Sequence, residues 1–252
     1  MKTFYDYFNK DISTSGMLGV INNQPVDRAV AIAIPTKSIH EAFYISALLD
    51  HTEQDKAVRL LKEEDATRYC AAHGLARLVI GAVIGRDPAR LRFGTQRLGK
   101  PYLLGPDRLD FSISHGGDWV AAAVSKIERV GVDVEAEQTE SIWQEIAPIL
   151  ISADEAEVSK TFGHLKIWTA KEAALKALGT GFARSPKLLS ILNRGANDFM
   201  VEHAENLLRG KWCQMDGKHI LSVVTDGREP QISICLRGED LVRQLISFNY
   251  SK

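Results

Sequence analysis

The heptapeptide RVGVDVE at residues 129–135 constrains the fold more than any other stretch of the chain. Valines alternate there with glycine, aspartate and glutamate, and a period of two predicts a β-strand with one apolar and one polar face. Two earlier runs, LDFSIS and WVAAAVS, are also typical of strands. Because only HGGD and KIE separate the three runs, the sequence predicts an antiparallel meander.

Helical patterns surround these strands. From Glu53 to Ile84 apolar residues recur three and four positions apart, until Gly85 and Pro88 end the pattern. The face predicted to be buried consists of Tyr69, Ala72, Ala76, Val79 and Val83. Further helices are predicted from Ser141, from the capping-box-like SADE, and over LKIWTAKEAALKALGTGF. RAVAIAIP, KWCQMDGKHILSVVT and PQISICLR are typical of strands.

The order of these elements predicts an α+β protein. Each half offers a helix followed by strands, so we expect two structurally similar α/β halves packed as an intramolecular pseudo-dimer. We place them at 26–125 and 126–252, after a loose extension at 1–25 whose second part is rich in Ser, Asn and Gly. With 252 residues and 45% apolar content, the chain can bury a sizeable core.

Composition excludes several classes of protein. No apolar run approaches the roughly 20 residues of a membrane span, and MKTFYDYFNK lacks a signal peptide's apolar stretch, so we expect a cytoplasmic protein without membrane contact. Three widely spaced cysteines fit neither a disulfide framework nor a zinc site. A net charge of −1 argues against general nucleic-acid binding.

The charges are unevenly distributed along the chain. Residues 56–108 contain 11 Lys and Arg against 5 Asp and Glu, whereas residues 131–157 contain 8 acids and no Lys or Arg. These stretches are either ordinary solvated faces or a basic surface for a polyanion beside an acidic, cation-binding site.

Asp133 and Glu135 share the polar face of the predicted strand. Two residues along a strand separate their side chains by about 7 Å, a spacing at which like charges favour a cation between them. Carboxylate oxygens suit Mg²⁺. The alternative is a solvent-facing edge of a sheet.

Trp168, Glu172 and Lys176 are spaced four apart and share one face of the last predicted helix. Glu172 could add a carboxylate to the metal, with Lys176 one turn on at a phosphate. Two structural alternatives remain open: a capping box formed by Thr169 and Glu172, and a surface pair of Glu172 with Lys176.

SISHGGD places Ser114 and His115 at a tight turn, where two glycines allow the backbone to approach a ligand. A turn with His115 in solvent is the alternative. A Ser-His-Asp hydrolase is disfavoured because sequence neighbours diverge on a strand and the chain has no Gly-x-Ser-x-Gly motif. RLGKP adds the cation Lys100 beside Gly and Pro.

Taken in order, GKPYL, FSISHGGDWVAAAVS, GVDVE and WTAKEAALKALGTGF resemble the 4′-phosphopantetheinyl transferase superfamily. More narrowly, the chain is similar to the long, pseudo-dimeric class typified by the surfactin-synthetase activator, and EEDATRYCAAHGLARLVIG resembles that class's preceding helix. The resemblance implies a monomer that moves the phosphopantetheine arm of coenzyme A to a serine of an apo acyl or peptidyl carrier protein and releases adenosine 3′,5′-bisphosphate.

The resemblance also assigns roles to individual residues. It implies Asp133, Glu135 and Glu172 as Mg²⁺ ligands, with Glu172 also the general base and Lys176 stabilising the pyrophosphate as it breaks. The residues implied in holding coenzyme A are Lys56, Arg68, Lys100, Ser114, His115, Asp133 and Lys176, the first two near the 3′-phosphate.

The chain departs from the family pattern at Glu53, where a basic residue is common. The loop after Glu135, near which carrier docking is expected, also differs from the commonest form. Two competing functions use the same residues. A Mg²⁺-dependent nucleotide pyrophosphatase would turn over coenzyme A without a carrier, and a regulator that binds coenzyme A or a carrier would need no base beside the metal.

Overall fold

Two β-sheets, each covered by one long helix, form the described part of the molecule. A computed structural model describes residues 29–40, 45–152, 155–228, 230–234 and 242–243. The predicted extension at 1–25 lies outside these residues. The mixed α+β architecture with two sheet-containing halves confirms the predicted fold class.

The first half runs from β1 to β5 and carries most of the early helices. Its elements are β1 (Val30–Pro35), α1 (Thr36–His40), α2 (Ile45–Leu48), α3 (His51–Val58), α4 (Glu63–Ile84), β2 (Phe93–Thr95), β3 (Pro101–Leu103), β4 (Asp110–Gly116) and β5 (Trp119–Ser125). The helix predicted from Glu53 is therefore two helices, and α4 ends where expected, at the left-handed Gly85. The predicted apolar face of α4 is buried.

The second half begins at β6 and ends in an antiparallel array of strands. Its elements are β6 (Val130–Ala136), α5 (Glu140–Leu150), α6 (Ala156–Phe162), α7 (His164–Leu178), β7 (Ser190–Asn193), β8 (Asp198–His203), β9 (Asn206–Gln214), β10 (His219–Thr225) and β11 (Gln231–Ile234).

The strands form two main sheets and a separate β2–β3 hairpin. The first sheet has the order β11-β1-β5-β4 and the second the order β6-β10-β9-β8-β7. β11 pairs in parallel with β1. The chain thus crosses back into the first sheet, and the boundary predicted at residue 126 stays a prediction.

The predicted meander is wrong in its third strand. β4 and β5 form the expected antiparallel hairpin, but β6 pairs with β10 in the other sheet. β6 still lies beside β4. The two strands are joined by hydrogen bonds from backbone N–H groups of β6 to serine side chains of β4, and not by a backbone ladder. A local pattern predicts a strand and leaves open which sheet it joins.

The apolar core has three layers, of which the third joins the two halves. One core lies between α4 and the first sheet, and another between α7 and the second sheet. The third lies between the sheets and is built from small and branched side chains, among them Ala31, Ala121, Val132 and Val223. β5 is buried along its whole length because a layer covers each face.

Gly131 brings α7 close to β6. A Cβ at this position would lie 1.9 Å from the carbonyl oxygen of Ala173, so no larger residue fits without moving the helix. The close approach places the face of α7 that carries Glu172 and Lys176 over the polar face of β6. Within the described residues, no helix is long and apolar enough to cross a membrane.

Candidate functional site

A cleft of about 600 Å³ is lined by both halves. The first half contributes α3, α4, the β2–β3 hairpin and β4, and the second contributes α7. Five of the residues predicted to act on a ligand line it: Lys56, Lys100, His115, Glu172 and Lys176.

Asp133 lies outside the cleft lining, on β6, in contact with Lys176 of α7, which lines the cleft. Its side chain is buried, and its Oδ1 accepts hydrogen bonds from Lys176 Nζ at 2.7 Å and from Ser114 Oγ at 3.0 Å. Its other oxygen, Oδ2, is buried and has no hydrogen-bond partner. The solvent-facing sheet edge considered for Asp133 is therefore wrong.

Glu172 occupies the middle of α7, seven residues before the cap Gly179. The position excludes the capping box, and burial of the carboxyl group excludes a surface pair with Lys176, which forms its ion pair with Asp133. Glu172 Oε1 is buried without a hydrogen-bond partner. Burial raises the pKa of Glu172 to about 7, and the negative charges of Asp133 and Glu135 contribute while Lys176 opposes them.

Glu135 follows Asp133 on the same face of β6. Burial, and then the charge of Asp133, raises the pKa of Glu135 to about 7, while a hydrogen bond from the side chain of Trp168 lowers it. The charge of Asp133 thus raises the pKa of both Glu135 and Glu172, and the assignment of the three carboxylates as metal ligands stays a prediction.

Ser114 is buried on β4 between these groups. Its hydroxyl donates to Asp133 and accepts from Lys176 Nζ at 2.9 Å and from the backbone N–H of Val134 at 3.2 Å. One proton and two lone pairs are thus engaged within the protein. The structure places Ser114 as a support for Asp133 and Lys176.

His115, the next residue, is exposed at the cleft. Partial desolvation, together with the positive charges of Lys176 and Arg68, lowers the pKa of its imidazole. A lowered pKa favours the neutral imidazole, which can donate one hydrogen bond and accept another at the cleft.

Lys100 lines the cleft with its stem, but its ammonium is held inside the protein. Nζ donates to Asp110 Oδ2 at 2.5 Å and to the carbonyl oxygens of Val130 and Ala177, each at 3.2 Å. All three donors are therefore used. This arrangement differs from the phosphate contact that the sequence resemblance implied.

The remaining predicted cations lie on the first half. Lys56 is exposed, and its ammonium lies 5.2 Å from the centre of the Tyr69 ring in the cleft wall. Arg68 forms an ion pair with Asp65 one turn earlier on α4 and does not belong to the cleft lining. The positive charge of Arg68 nevertheless contributes to the lowered pKa of His115.

Glu53, the departure from the family pattern, is buried beside Lys56. Burial alone would raise the pKa of its carboxyl group, but hydrogen bonds from His73 and Arg77 outweigh this effect. The pKa is therefore lowered overall, and the group is charged. Its oxygens lie 2.8 Å from His73 Nδ1 and 2.8 Å from Arg77 Nε. Glu53 thus neutralises Arg77, whose side chain is fully buried.

Two family models match consecutive parts of the chain. One, described as the 4′-phosphopantetheinyl transferase superfamily, matches residues 129–235, and the other, described as 4′-phosphopantetheinyl transferase, N-terminal, matches residues 35–127. The chain belongs to the 4′-phosphopantetheinyl transferase superfamily.

Curated relatives of this superfamily agree with that assignment. The 4′-phosphopantetheinyl transferase Sfp from Bacillus subtilis is 34% identical over 142 residues, which cover 52% of this chain and 60% of Sfp. A second 4′-phosphopantetheinyl transferase from Bacillus subtilis is 31% identical over 146 residues, 54% of this chain and 63% of the relative. HetI from a Nostoc species is 29% identical over 152 residues, 56% of this chain and 63% of HetI. The chain thus spans less than two thirds of the length of these relatives.

Whether this superfamily member can hold a metal ion at the cleft depends on the oxygens of Asp133, Glu135 and Glu172. In the described ranges, no group of three or more His, Cys, Asp or Glu side chains is assembled around a common point to hold a metal. Lys176 takes up one oxygen of Asp133 instead. The unpartnered oxygens, Asp133 Oδ2 and Glu172 Oε1, are nevertheless hard donors that suit Mg²⁺, and both are buried where a cation would offset their charge.

Sequence reasoning missed residues that support the site of this superfamily member. Trp168 was noted only for sharing a helical face with Glu172, yet its side chain hydrogen-bonds Glu135. Ser112 precedes Ser114 by one strand repeat, and this period-two spacing is the sequence signal that both hydroxyls point the same way.

Proposed function

We propose that the protein transfers the 4′-phosphopantetheine arm of coenzyme A to a serine of an apo acyl or peptidyl carrier protein, in a Mg²⁺-dependent reaction. The observation that carries the proposal is the grouping of Asp133 and Glu135 with Glu172 and Lys176, two residues that line the cleft, on a chain of this superfamily. The names of the curated relatives support the same activity.

Glu172 is the proposed general base. The hydroxyl proton of the incoming serine passes to its carboxylate as the serine oxygen attacks the phosphorus bound to pantetheine. The pyrophosphate bond breaks, and the bond electrons leave with adenosine 3′,5′-bisphosphate. A base with a pKa near 7 suits this task because it is substantially ionised at neutral pH and still basic enough to accept a proton.

Lys176 supplies positive charge at the breaking bond. Its side chain is 30% exposed and lines the cleft, so its ammonium can reach a ligand phosphate from its place beside Asp133. Bound by Asp133, Glu135 and Glu172, Mg²⁺ would neutralise charge that develops on the pyrophosphate.

His115 and Lys56 are the proposed contacts for the nucleotide and its phosphates, because both line the cleft on the side of the first half. Arg68 contributes its charge from outside the lining. The geometry of Lys100 supports a structural role for its ammonium and a lining role for its stem.

The test uses the full chain with coenzyme A, Mg²⁺ and a panel of apo carrier proteins, followed by intact-mass spectrometry. We expect a carrier mass increase of one phosphopantetheine, and none after chelation of the metal. Coenzyme A cleavage without a carrier would favour a pyrophosphatase, and binding without either reaction would favour a regulator. The monomeric state and the cytoplasmic location stay predictions; sedimentation at micromolar concentration tests the first.

A further inference from the structure

The two halves meet along two edge strands that share no backbone ladder. β4 ends the first sheet and β6 ends the second. On β6, the N–H groups of Val130, Val132 and Val134 are bound by side-chain oxygens from β4. Asp110 Oδ2, Ser112 Oγ and Ser114 Oγ accept these hydrogen bonds at 2.8, 3.1 and 3.2 Å, in that order. We call these six residues the seam.

The seam fixes a single register. Each acceptor lies 20 positions before its donor, so the two strands run parallel and every second residue is matched. If β4 shifted by two residues along β6, Ser112 would replace Asp110 opposite the N–H of Val130. The shift would also move Ser114 away from Asp133, whose carboxylate it binds at 3.0 Å.

Lys100 makes one end of the seam specific. Asp110 Oδ2 accepts both the N–H of Val130 and the ammonium of Lys100, which also binds the carbonyl oxygens of Val130 and Ala177. One lysine of the first half thereby contacts β4, β6 and the end of α7. The seam thus has the ion pair of Asp110 with Lys100 at one end and Ser114 at the other. Ser112 forms the central contact.

Among the described residues, the one hydrogen bond of the Ser112 side chain belongs to the seam. It is 4% exposed, and its Oγ is engaged by the N–H of Val132. The strands are also in close contact at Gly116, where a Cβ would lie 2.1 Å from the carbonyl oxygen of Val134. Removing the Ser112 hydroxyl would leave a buried N–H without an acceptor.

We propose that Asp110, Ser112 and Lys100 are positioning residues that set the register of β6 against β4, and so hold Asp133 and Lys176 in place relative to the cleft. The expected effect on the rate of transfer rests on the proposed function. The expected effect on the register of β6 against β4 does not. Ser112 and Lys100 also belong to the cleft lining, but Ser112 Oγ and Lys100 Nζ are both engaged by seam residues.

The first test measures the strands directly and needs no activity. Backbone hydrogen exchange of residues 130–134 is compared between the wild type, Ser112→Ala and the control Ser125→Ala. Ser125 is also fully buried, and its Oγ accepts the N–H of Glu128 at 3.0 Å within its own connection, outside the seam. We expect faster exchange at Val132 in Ser112→Ala and wild-type exchange there in the control.

The second test measures transfer. Misplacement of catalytic groups by about 1 Å can cost about 10²-fold in rate, so we expect Ser112→Ala to lower kcat by about 10- to 100-fold with KM for coenzyme A unchanged. Ser125→Ala should melt at a similarly lowered temperature and keep the wild-type kcat. Asp110→Asn retains an oxygen acceptor for Val130 and should keep more activity than Asp110→Ala.

The outcomes separate the two proposals. A wild type that transfers nothing would sink the proposed function, and the exchange at Val132 would still decide the register. Wild-type exchange at residues 130–134 in Ser112→Ala, or a kcat equal to that of Ser125→Ala, would overturn the positioning role. If Ser112→Ala does not fold, the same comparison between Asp110→Asn and Asp110→Ala decides.

Discussion

Ser114 Oγ donates a hydrogen bond to Asp133 Oδ1 over 3.0 Å, from the first half of the molecule to the second. The same hydroxyl accepts from Lys176, so a carboxylate and an ammonium of the second half are both held by a strand of the first. The candidate site therefore depends on how the halves are docked, even though Asp133, Glu135, Glu172 and Lys176 all belong to one half.

Ser114→Ala tests whether this serine supports the site or binds a ligand phosphate. Removing the hydroxyl leaves the N–H of Val134 unpaired and frees Asp133 and Lys176 to reorient, so we expect a kcat lower by about 10-fold or more at an almost unchanged KM for coenzyme A. His115→Ala is the matched comparison, because His115 lines the cleft and its loss should raise KM. A raised KM with normal kcat in Ser114→Ala would show that Ser114 binds a ligand phosphate and does not support Asp133 and Lys176.

Glu172→Gln tests the general base. The amide keeps the size of the side chain but loses the charge and the basicity, so transfer to a carrier should fall by at least about 10²-fold. Steady-state rates from carrier mass shifts measure the loss, and circular dichroism checks the fold. Glu157→Gln, at an exposed carboxylate on α6 outside the loop after Glu135, should remain active. Normal transfer by Glu172→Gln would remove the assigned base and the mechanism with it.

Much of the fold followed from local patterns. The alternation in RVGVDVE gave β6 with Val130, Val132 and Val134 buried, and the helical spacing on α7 gave a common face for Trp168 and Glu172. The period of a pattern depends on neighbouring residues alone, which is why such elements can be predicted from one sequence.

Long-range pairing was not predictable in the same way. Nothing local distinguishes a third strand of a meander from the first strand of a second sheet, and β11 crosses back to pair with β1. The role of Lys100 was hidden for a related reason, because two of its three acceptors, the carbonyl oxygens of Val130 and Ala177, lie in elements distant in sequence. A lysine beside a glycine has the same sequence signature whether it binds a phosphate or a carboxylate.

Trp168→Phe tests a support for Glu135. The substitution keeps an aromatic ring but removes the indole N–H that hydrogen-bonds the Glu135 carboxylate. Loss of a partner that orients a metal ligand typically weakens metal affinity by about 10- to 100-fold. We expect a loss in that range for Mn²⁺ binding measured by electron paramagnetic resonance.

Trp143→Phe is the matched control for this experiment. Trp143 Nε1 also donates to a carboxylate, Glu137 Oε1, at 2.9 Å, but that carboxylate lies outside the predicted ligand set. Equal Mn²⁺ affinities in the two variants would show that Trp168 does not position Glu135.

The pH dependence of stability tests the carboxylate cluster without any substrate. In the folded protein the pKa of Glu172 is about 7, against an ordinary value of 4.5, because burial and the charge of Asp133 disfavour ionisation. Between these two pH values the folded state binds a proton that the unfolded state has released, so the free energy of unfolding falls as pH rises. The stability that the neutral group contributes is complete below pH 4.5 and is lost as pH rises through 7.

Glu172→Gln should remove the part of this dependence that comes from Glu172, since an amide does not titrate, and leave the part that comes from Glu135, whose pKa is also about 7. In chelator, the variant should match the wild type near pH 5 and exceed it by about 1–3 kcal/mol at pH 8, as measured by denaturant unfolding. Added Mg²⁺ should stabilise the wild type more at pH 8 than at pH 5, because only the ionised carboxylates bind the cation and binding to the folded state alone raises its stability. An equal difference between variant and wild type at both pH values would show that Glu172 is ionised throughout. A Mg²⁺ effect independent of pH would place the cation elsewhere than at Glu172.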